Sequence, residues 1–501
     1  MSYVLGIDLG TSSLKGLLVN QEGTIIATAS SSYPLVHPAP GFSEQDPKLW
    51  IEAADKVILE LQATVADFSD KIVGISFSGQ MHSLVVLDEA NEVLRNAILW
   101  NDVRTTSQCE RITAEYGQAL LEVTKNIALE GFTLPKILWL QENEPEVWAK
   151  VRHILLPKDY LGYWMTDTKH MDYSDAAGTL LLDLNQKVWS QDILEKFSIS
   201  ADLLPTLIES AGQTGVLKDE LKARYNIQQT VKIFAGGADN ACAAVGAGIV
   251  DSGTAMASIG TSGVFLSYEN DADQDYQGKL HLFHHAKEAS YYSMGVTLAA
   301  GHSLDWFKST FAPDKTFEEL LADVDTVAAG SEGLIFTPYI VGERTPHVDG
   351  QIRGTFTGID TSHQLKHFAR AVLEGITYSL KDSQTIMEAE TGRHFKRIVS
   401  VGGGAKNKEW LQMQANIFNA EVTSLETEQG PGLGAAMLAA VGLGWFENYE
   451  DCTKAFVNYK ESTYPEPENV LIYEDYYSIY QDVYAATKDI NHRLRNIDRG
   501  E

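Results

Sequence analysis

Cysteine is nearly absent. Cys109, Cys242 and Cys452 are odd in number, far apart and outside any CxxC or zinc-ligand spacing. No disulfide framework is expected from them, and they suit a reducing, cytoplasmic setting. Positive charge is also short, with 39 Lys+Arg against 68 Asp+Glu and a net charge of −29. A chain this acidic is not held on nucleic acid by phosphate neutralisation. It also has no Lys/Arg cluster to seat it on an anionic membrane. No signal peptide is expected, because MSYVLGIDLG at Met1–Gly10 has neither a basic n-region nor an apolar h-region. The longest uncharged stretch, Gln429–Phe446, has the length of a membrane span. Its glycines Gly430, Gly432, Gly434, Gly442 and Gly444 make it a glycine loop followed by a buried Ala/Leu helix instead. The two commonest nucleotide loops are missing as well. Gly74 and Gly79 have the Walker A spacing but are followed by Gln80-Met81, and no Gly-x-Gly-x-x-Gly occurs.

What is present can build cores: 501 residues, 44% hydrophobic and 10% aromatic, enough for two large domains or three smaller ones. Tyr3–Asp8, Leu14–Val19 and Thr24–Ala29 are mostly apolar runs divided by Gly10-Thr11-Ser12-Ser13 and Gln21-Glu22-Gly23. That pattern predicts an antiparallel meander of three strands. From Pro47, a good first helical residue, apolar Leu49, Trp50, Ala53, Val57, Ile58 and Leu61 recur near helical spacing. Ile72–Ser76 predicts a fourth strand, and the order β-β-β-α-β is that of an α/β protein. Half a chain later, Ile259-Gly260-Thr261-Ser262-Gly263 echoes Leu9-Gly10-Thr11-Ser12-Ser13. Two related domains are therefore expected, each with a Gly-Thr-Ser hairpin. They divide at the glycine-rich Gly246–Gly253, into residues 1–246 and 247–501. The acidic Glu269–Asp275 reads as a solvated loop, and the tail from Glu468 as a surface helix.

Four places can carry chemistry. Asp8 ends an apolar strand before a turn of small residues, where backbone amides can approach an anion and a carboxylate can hold Mg²⁺ through water. An ordinary hairpin whose Asp caps the turn explains the same residues. Asp239 follows Gly236-Gly237 at the end of another strand and can serve as a general base, or equally as a helix cap. Gln80, Met81 and His82 follow the fourth strand and can meet sugar hydroxyls, or else be a core methionine and a satisfied histidine. Gly402-Gly403-Gly404 permits close backbone approach to a ligand, with Asn407 as a candidate helix cap. His281, His284 and His285 match no zinc motif with supporting ligands. Gly131–Trp139 and Gly342–His347 yield no chemistry from spacing alone.

Taken in order, these segments resemble the FGGY carbohydrate kinases, within the actin-like ATPase architecture. The resemblance runs from Gly6 to about Gly444. It is carried by GIDLGTSSLK at Gly6–Lys15, SEQDP at Ser43–Pro47, GQMH at Gly79–His82 and ILWND at Ile98–Asp102. GFTLPK at Gly131–Lys136, LPKDY at Leu156–Tyr160, SDAAGT at Ser174–Thr179 and GGADN at Gly236–Asn240 continue it. IGTSG at Ile259–Gly263, GERTPH at Gly342–His347, RAVLEG at Arg370–Gly375 and the GGGAKN and GPGLGAA loops complete it.

The resemblance implies two ribonuclease-H-like domains flanking a catalytic cleft, an N-terminal sugar-binding one and a C-terminal nucleotide-binding one. It implies ATP-dependent phosphorylation of D-xylulose, with Asp239 as general base and Met81, His82 and Asn240 at the sugar. Asp8 would organise Mg²⁺ and the phosphates. Gly10, Thr11, Ser12 and Lys15 would lie at the transferring phosphoryl, Gly260 and Thr261 at the phosphates, and Gly403, Gly404 and Asn407 at the adenosine. The implied partners are a small sugar and Mg·ATP, in a homodimer. The Gln80-Met81-His82 motif carries the substrate expectation, since glycerol-acting members have an Asn-Gln-Arg-Glu type motif there. At Ser83 the chain departs from the usual glycine. A kinase of ribulose, glycerol or another polyol stays open, as do a non-catalytic sugar-binding regulator and an actin- or Hsp70-like nucleotide switch.

Overall fold

The computed structural model describes residues 1–497. The apolar runs punctuated by small residues form the expected meander: β1 (Tyr3–Leu9), β2 (Ser13–Asn20) and β3 (Ile25–Ser32). The Gly10 amide donates to the Ser13 carbonyl and closes the first turn (3.0 Å). α1 (Pro47–Thr64) starts where its proline and the Asp46 cap on the Lys48 amide predict, and buries Trp50, Ala54, Val57 and Leu61 beside β2 and β3. β4 (Ile72–Gly79) then returns parallel to β1. β5 (Gln213–Val216), β6 (Lys232–Phe234) and β7 (Gly237–Ala238) complete a seven-stranded sheet. Its order is β5-β6-β4-β1-β2-β3, with β7 also on β4.

The second half repeats this plan. β8 (Thr254–Ile259), β9 (Gly263–Glu269), β10 (His281–His284), β11 (Tyr291–Thr297), β12 (Arg397–Gly402) and β13 (Glu421–Ser424) form a sheet of order β10-β11-β9-β8-β12-β13. The path β11-β9-β8-β12-β13 matches β3-β2-β1-β4-β6 in order and direction, antiparallel at first and then parallel. The fold is thus the duplicated ribonuclease-H-like arrangement of the actin-like ATPases, and the Gly-Thr-Ser echo marks equivalent hairpins.

Two helices lie where the halves meet. α2 (Asp239–Gly246) follows β7, and the later helix Pro431–Gly442, here α3, crosses it and covers β1 and β4 of the first sheet. Small residues let backbones touch. A methyl group on Gly6 would stand 2.1 Å from the Gly432 carbonyl oxygen, and one on Gly434 only 1.9 Å from that of Cys242. The uncharged Gln429–Phe446 stretch is therefore a buried helix, and no helix among the described residues is long and apolar enough to cross a membrane.

Two surface expectations need correction. Glu269 is not in a solvated loop. It ends β9 fully buried, accepting from Ser267 and Ser293 and paired with Arg393. The tail helix, Pro467–Arg495, buries Val470, Tyr473, Tyr477, Tyr480 and Val483 along one face, so only its other face is surface.

Candidate active site

Parallel strands in an open sheet deliver their carboxyl ends to one edge, where ligands bind. At that edge of the first sheet, Lys15, Asp8, Ser78 and Gly237 lie opposite one another across β2, β1, β4 and β7. Burial raises the Asp8 carboxyl to about 6, against the pull of Ser78 and Lys15. Asp239 opens α2 two residues beyond Gly237. Its Oδ1 accepts from the Asn240 amide (2.7 Å) and from Asn240 Nδ2 (3.0 Å). Burial, and then the charge of Asp8, raise Asp239 to about 7. A carboxylate poised near neutrality suits general-base work.

The loop after β4 is fixed by the Gln80 amide on the Leu9 carbonyl (2.9 Å). His82 adopts φ +67°, a left-handed conformation that costs a β-carbon residue about 1–3 kcal/mol and persists where its surroundings enforce it. Three contacts enforce it here. Nδ1 meets the Gly178 carbonyl (2.7 Å), the His82 carbonyl accepts from Thr133 Oγ1 (2.9 Å), and the ring packs on Phe132 (centroids 4.6 Å apart). Burial lowers the imidazole to about 3, so it is neutral. With Nδ1–H donating to Gly178, Nε2 is left as an acceptor for a hydroxyl. Met81 lies deeper, 3% exposed, with Asn240 Nδ2 and the Tyr292 hydroxyl donating to its sulfur (3.7 and 3.9 Å). Its side chain supports Asn240 from within the core.

The positive φ falls on His82, and Ser83 is not among the left-handed residues. The Ser83 hydroxyl is buried, donates to Gln80 Oε1 (3.2 Å) and accepts from the Trp100 amide (3.0 Å). Glycine is thus not required there. Trp100, 46% exposed, donates from Nε1 to Thr11 Oγ1 (2.9 Å), which ties the ILWND segment to the first Gly-Thr-Ser turn.

The second sheet presents its equivalent edge. The Gly260 amide donates to the Ser262 carbonyl (3.0 Å). The helix Gly301–Phe311 braces this turn from behind, with the Gly301 amide on the Gly260 carbonyl (2.8 Å) and Ala300 on Thr261 (3.0 Å). Gly403 and Gly404 follow β12, and a methyl group on Gly402 would stand 2.5 Å from the Ile259 carbonyl oxygen. The two glycine loops are therefore neighbours. Asn407 caps the helix Lys408–Phe418 by accepting from the Trp410 amide (2.9 Å). One loop joins the two edges: Glu428 accepts from the Gly402 amide (2.8 Å), and Gln429 accepts from Lys15 Nζ (2.8 Å).

Sequence reasoning missed several residues. Lys158, Asp172 and Ser174 form a buried cluster, and the Ser174 hydroxyl accepts from the amide of Ala238, the residue before Asp239. Arg344 sits on a loop bound to β11, where the Thr345 amide donates to the Val296 carbonyl (3.0 Å). Its charge reaches His82 and His281. Both segments were visible as motifs, LPKDY with SDAAGT and GERTPH, but their spacing carries no chemistry. His281 and His284 fasten the halves, while His285 accepts from the nearby Lys287 amide. His281 Nδ1 meets Asn126 Oδ1 (2.9 Å), and His284 Nε2 meets the Leu184 carbonyl (2.9 Å). Among the described residues no group of three or more His, Cys, Asp or Glu is arranged to hold a metal. A magnesium ion carried on substrate phosphates needs only one or two carboxylates, and Asp8, beside the first Gly-Thr-Ser turn, fits that requirement.

Residues 3–246 match the FGGY family of carbohydrate kinases, N-terminal domain, and residues 255–443 match its C-terminal domain. The chain belongs to the FGGY carbohydrate kinases. Within this family it is 57% identical over 495 residues to a xylulose kinase of Lactococcus lactis subsp. lactis, covering 99% of each chain. It is 52% identical over 496 residues to a xylulose kinase of Bacillus subtilis, again covering 99% of both. A ligand-bound xylulose kinase from Lactobacillus acidophilus superposes with a TM-score of 0.94 at 29% identity, over 99% of this FGGY chain and 100% of that one.

Proposed function

We propose that the chain transfers the γ-phosphoryl group of ATP to the terminal hydroxyl of D-xylulose, giving D-xylulose 5-phosphate and ADP. The observation that carries the reaction is the placement of Asp239, two residues beyond the Gly237–Ser78 pair at the edge of the first sheet and within reach of the charge of Asp8. The substrate rests on the full-length similarity to xylulose kinases. Asp239 takes the hydroxyl proton as that oxygen bonds to the γ-phosphorus and the bond to the ADP oxygen breaks. Phosphoryl transfer depends mainly on positioning and charge stabilisation, a task that falls to the glycine turns at the two sheet edges. Residues 1–246 form the sugar-binding domain and 247–501 the nucleotide-binding one. Gly10, Thr11, Ser12 and Lys15 face the transferred group, Gly260 and Thr261 the phosphates, and Gly403, Gly404 and Asn407 the adenosine. His82 and Asn240 meet the sugar. Asp8 would hold Mg²⁺, which when bound with ATP neutralises phosphate charge. The working state is a cytoplasmic homodimer.

A coupled ADP-release assay with Mg·ATP tests this over D-xylulose, D-ribulose, L-ribulose, glycerol and no sugar. The highest kcat/KM is expected on D-xylulose. A higher value on another polyol moves the substrate and keeps Asp239, whereas turnover indifferent to sugar overturns the kinase reading. In the same assay, His82→Ala is expected to raise the D-xylulose KM by at least tenfold while the ATP KM stays within twofold. Tenfold is about 1.4 kcal/mol, the size of one lost hydrogen bond to a sugar hydroxyl. An equal rise in both constants would make His82 structural.

A further inference from the structure

We propose that Lys158, Asp172 and Ser174 form a buried relay that positions Asp239 for proton abstraction, an inference that rests on Asp239 being the base. Lys158 Nζ lies 2.6 Å from Asp159 Oδ1, 2.8 Å from Asp172 Oδ1 and 3.1 Å from Asp175 Oδ2, and all four residues are buried. Asp172 Oδ2 accepts from the Ser174 amide (2.9 Å), the Ser174 hydroxyl (2.5 Å) and the Ser210 hydroxyl (2.8 Å). With its proton committed to Asp172, the Ser174 oxygen faces outward and accepts from the Ala238 amide (2.9 Å). Ala238 immediately precedes Asp239 and pairs with Gly79 of β4. The backbone that carries Asp239 is therefore held by the sheet on one side and by Ser174 on the other.

The surroundings leave no slack in this arrangement. A methyl group on Gly79 would stand 2.9 Å from Lys158 Cβ, and one on Gly237 would stand 3.2 Å from Ser174 Oγ. A buried ion cluster gains little stability over well-packed apolar residues, so its use here lies in orientation. Asp172, pinned by Lys158, accepts the serine proton on its inner side and leaves the serine lone pair for the Ala238 amide. An error of about 1 Å in a reacting group can cost on the order of 10²-fold in rate. These are positioning residues, since none touches the substrate.

The test compares Ser174→Ala, Ser210→Ala and Asp239→Asn by steady-state kinetics with D-xylulose and Mg·ATP, with thermal midpoints recorded. Ser210→Ala removes a hydroxyl from the same Asp172 oxygen but none from the line to Asp239. The expected result is a kcat lowered by roughly tenfold or more in Ser174→Ala, with both KM values within twofold, and near-native kcat in Ser210→Ala. A native kcat in folded Ser174→Ala overturns the relay, and so does an equal fall in both serine variants. If Asp239→Asn keeps its turnover, the base assignment fails and the relay with it. An inactive Asp239→Asn beside a native Ser174→Ala removes the relay alone.

Discussion

Asp239→Ala is expected to lower kcat by about 10²–10⁴-fold, the range for loss of a positioned general base. The substitution removes a carboxylate that combines placement at the strand ends, bonds to Asn240 and a value near 7. The same value fixes the pH dependence. A base must be ionised to accept a proton, so native turnover is expected to fall as pH drops through about 7, and to level off above it. Rapid-quench or coupled assays across that window, run on both proteins, check this. The acid limb should vanish in the variant's residual activity. Near-normal turnover in Asp239→Ala, or an acid limb that survives in it, would remove the residue from its role.

Lys158→Met is expected to destabilise the fold by about 3–5 kcal/mol, the cost of stripping the partner from buried charge. Methionine keeps most of the lysine's volume, so lost packing is a small part of the effect. Lys158 is the ammonium paired with Asp159, Asp172 and Asp175. Burial opposes its charge, and the three aspartates more than reverse that, holding it well above the usual lysine range. Burial also holds Asp175 well above a normal carboxylate, with Lys158 the main influence pulling it down. Without Lys158 the trio can relieve repulsion only by taking up protons. A carboxyl raised in the folded state loses stability as pH rises from its unfolded value through its folded one. The deficit measured by urea titration should therefore be smaller near about pH 5 than near about pH 8. A deficit independent of pH would mean that the aspartates are not what the lysine restrains.

The sequence made the strands and turns readable because Gly-Thr-Ser clusters interrupt apolar runs, and such punctuation is local. Helix α1 was readable from Pro47 and its apolar spacing, and the buried Ala/Leu helix from its glycines. Asp8 and Asp239 were readable as carboxylates at strand ends, though residue type alone left each balanced against a cap. Long-range partners were not readable. Nothing near His281 or His284 announces Asn126 or the Leu184 carbonyl. Lys158 is one lysine among many until folding surrounds it with three aspartates. Met81 reads as a sugar contact by its place in the motif, and what the motif did not show is that its side chain is buried against Asn240 and Tyr292. The acidic Glu269 looked solvated because its partner Arg393 comes from a distant helix end.

The backbone contact between Gly6 and Gly432 also bears on how the chain is made. β1 ends at Leu9 and the helix that covers it begins only at Pro431, so the strand leaves the ribosome long before its cover. At ~5–20 residues per second, the first sheet waits roughly tens of seconds for its cover. During synthesis its apolar face is a surface for chaperones to occupy and for other nascent chains to stick to. A stop codon anywhere before α3 would leave that face permanently bare, so truncated products should go to the quality-control machinery rather than persist as half-enzymes.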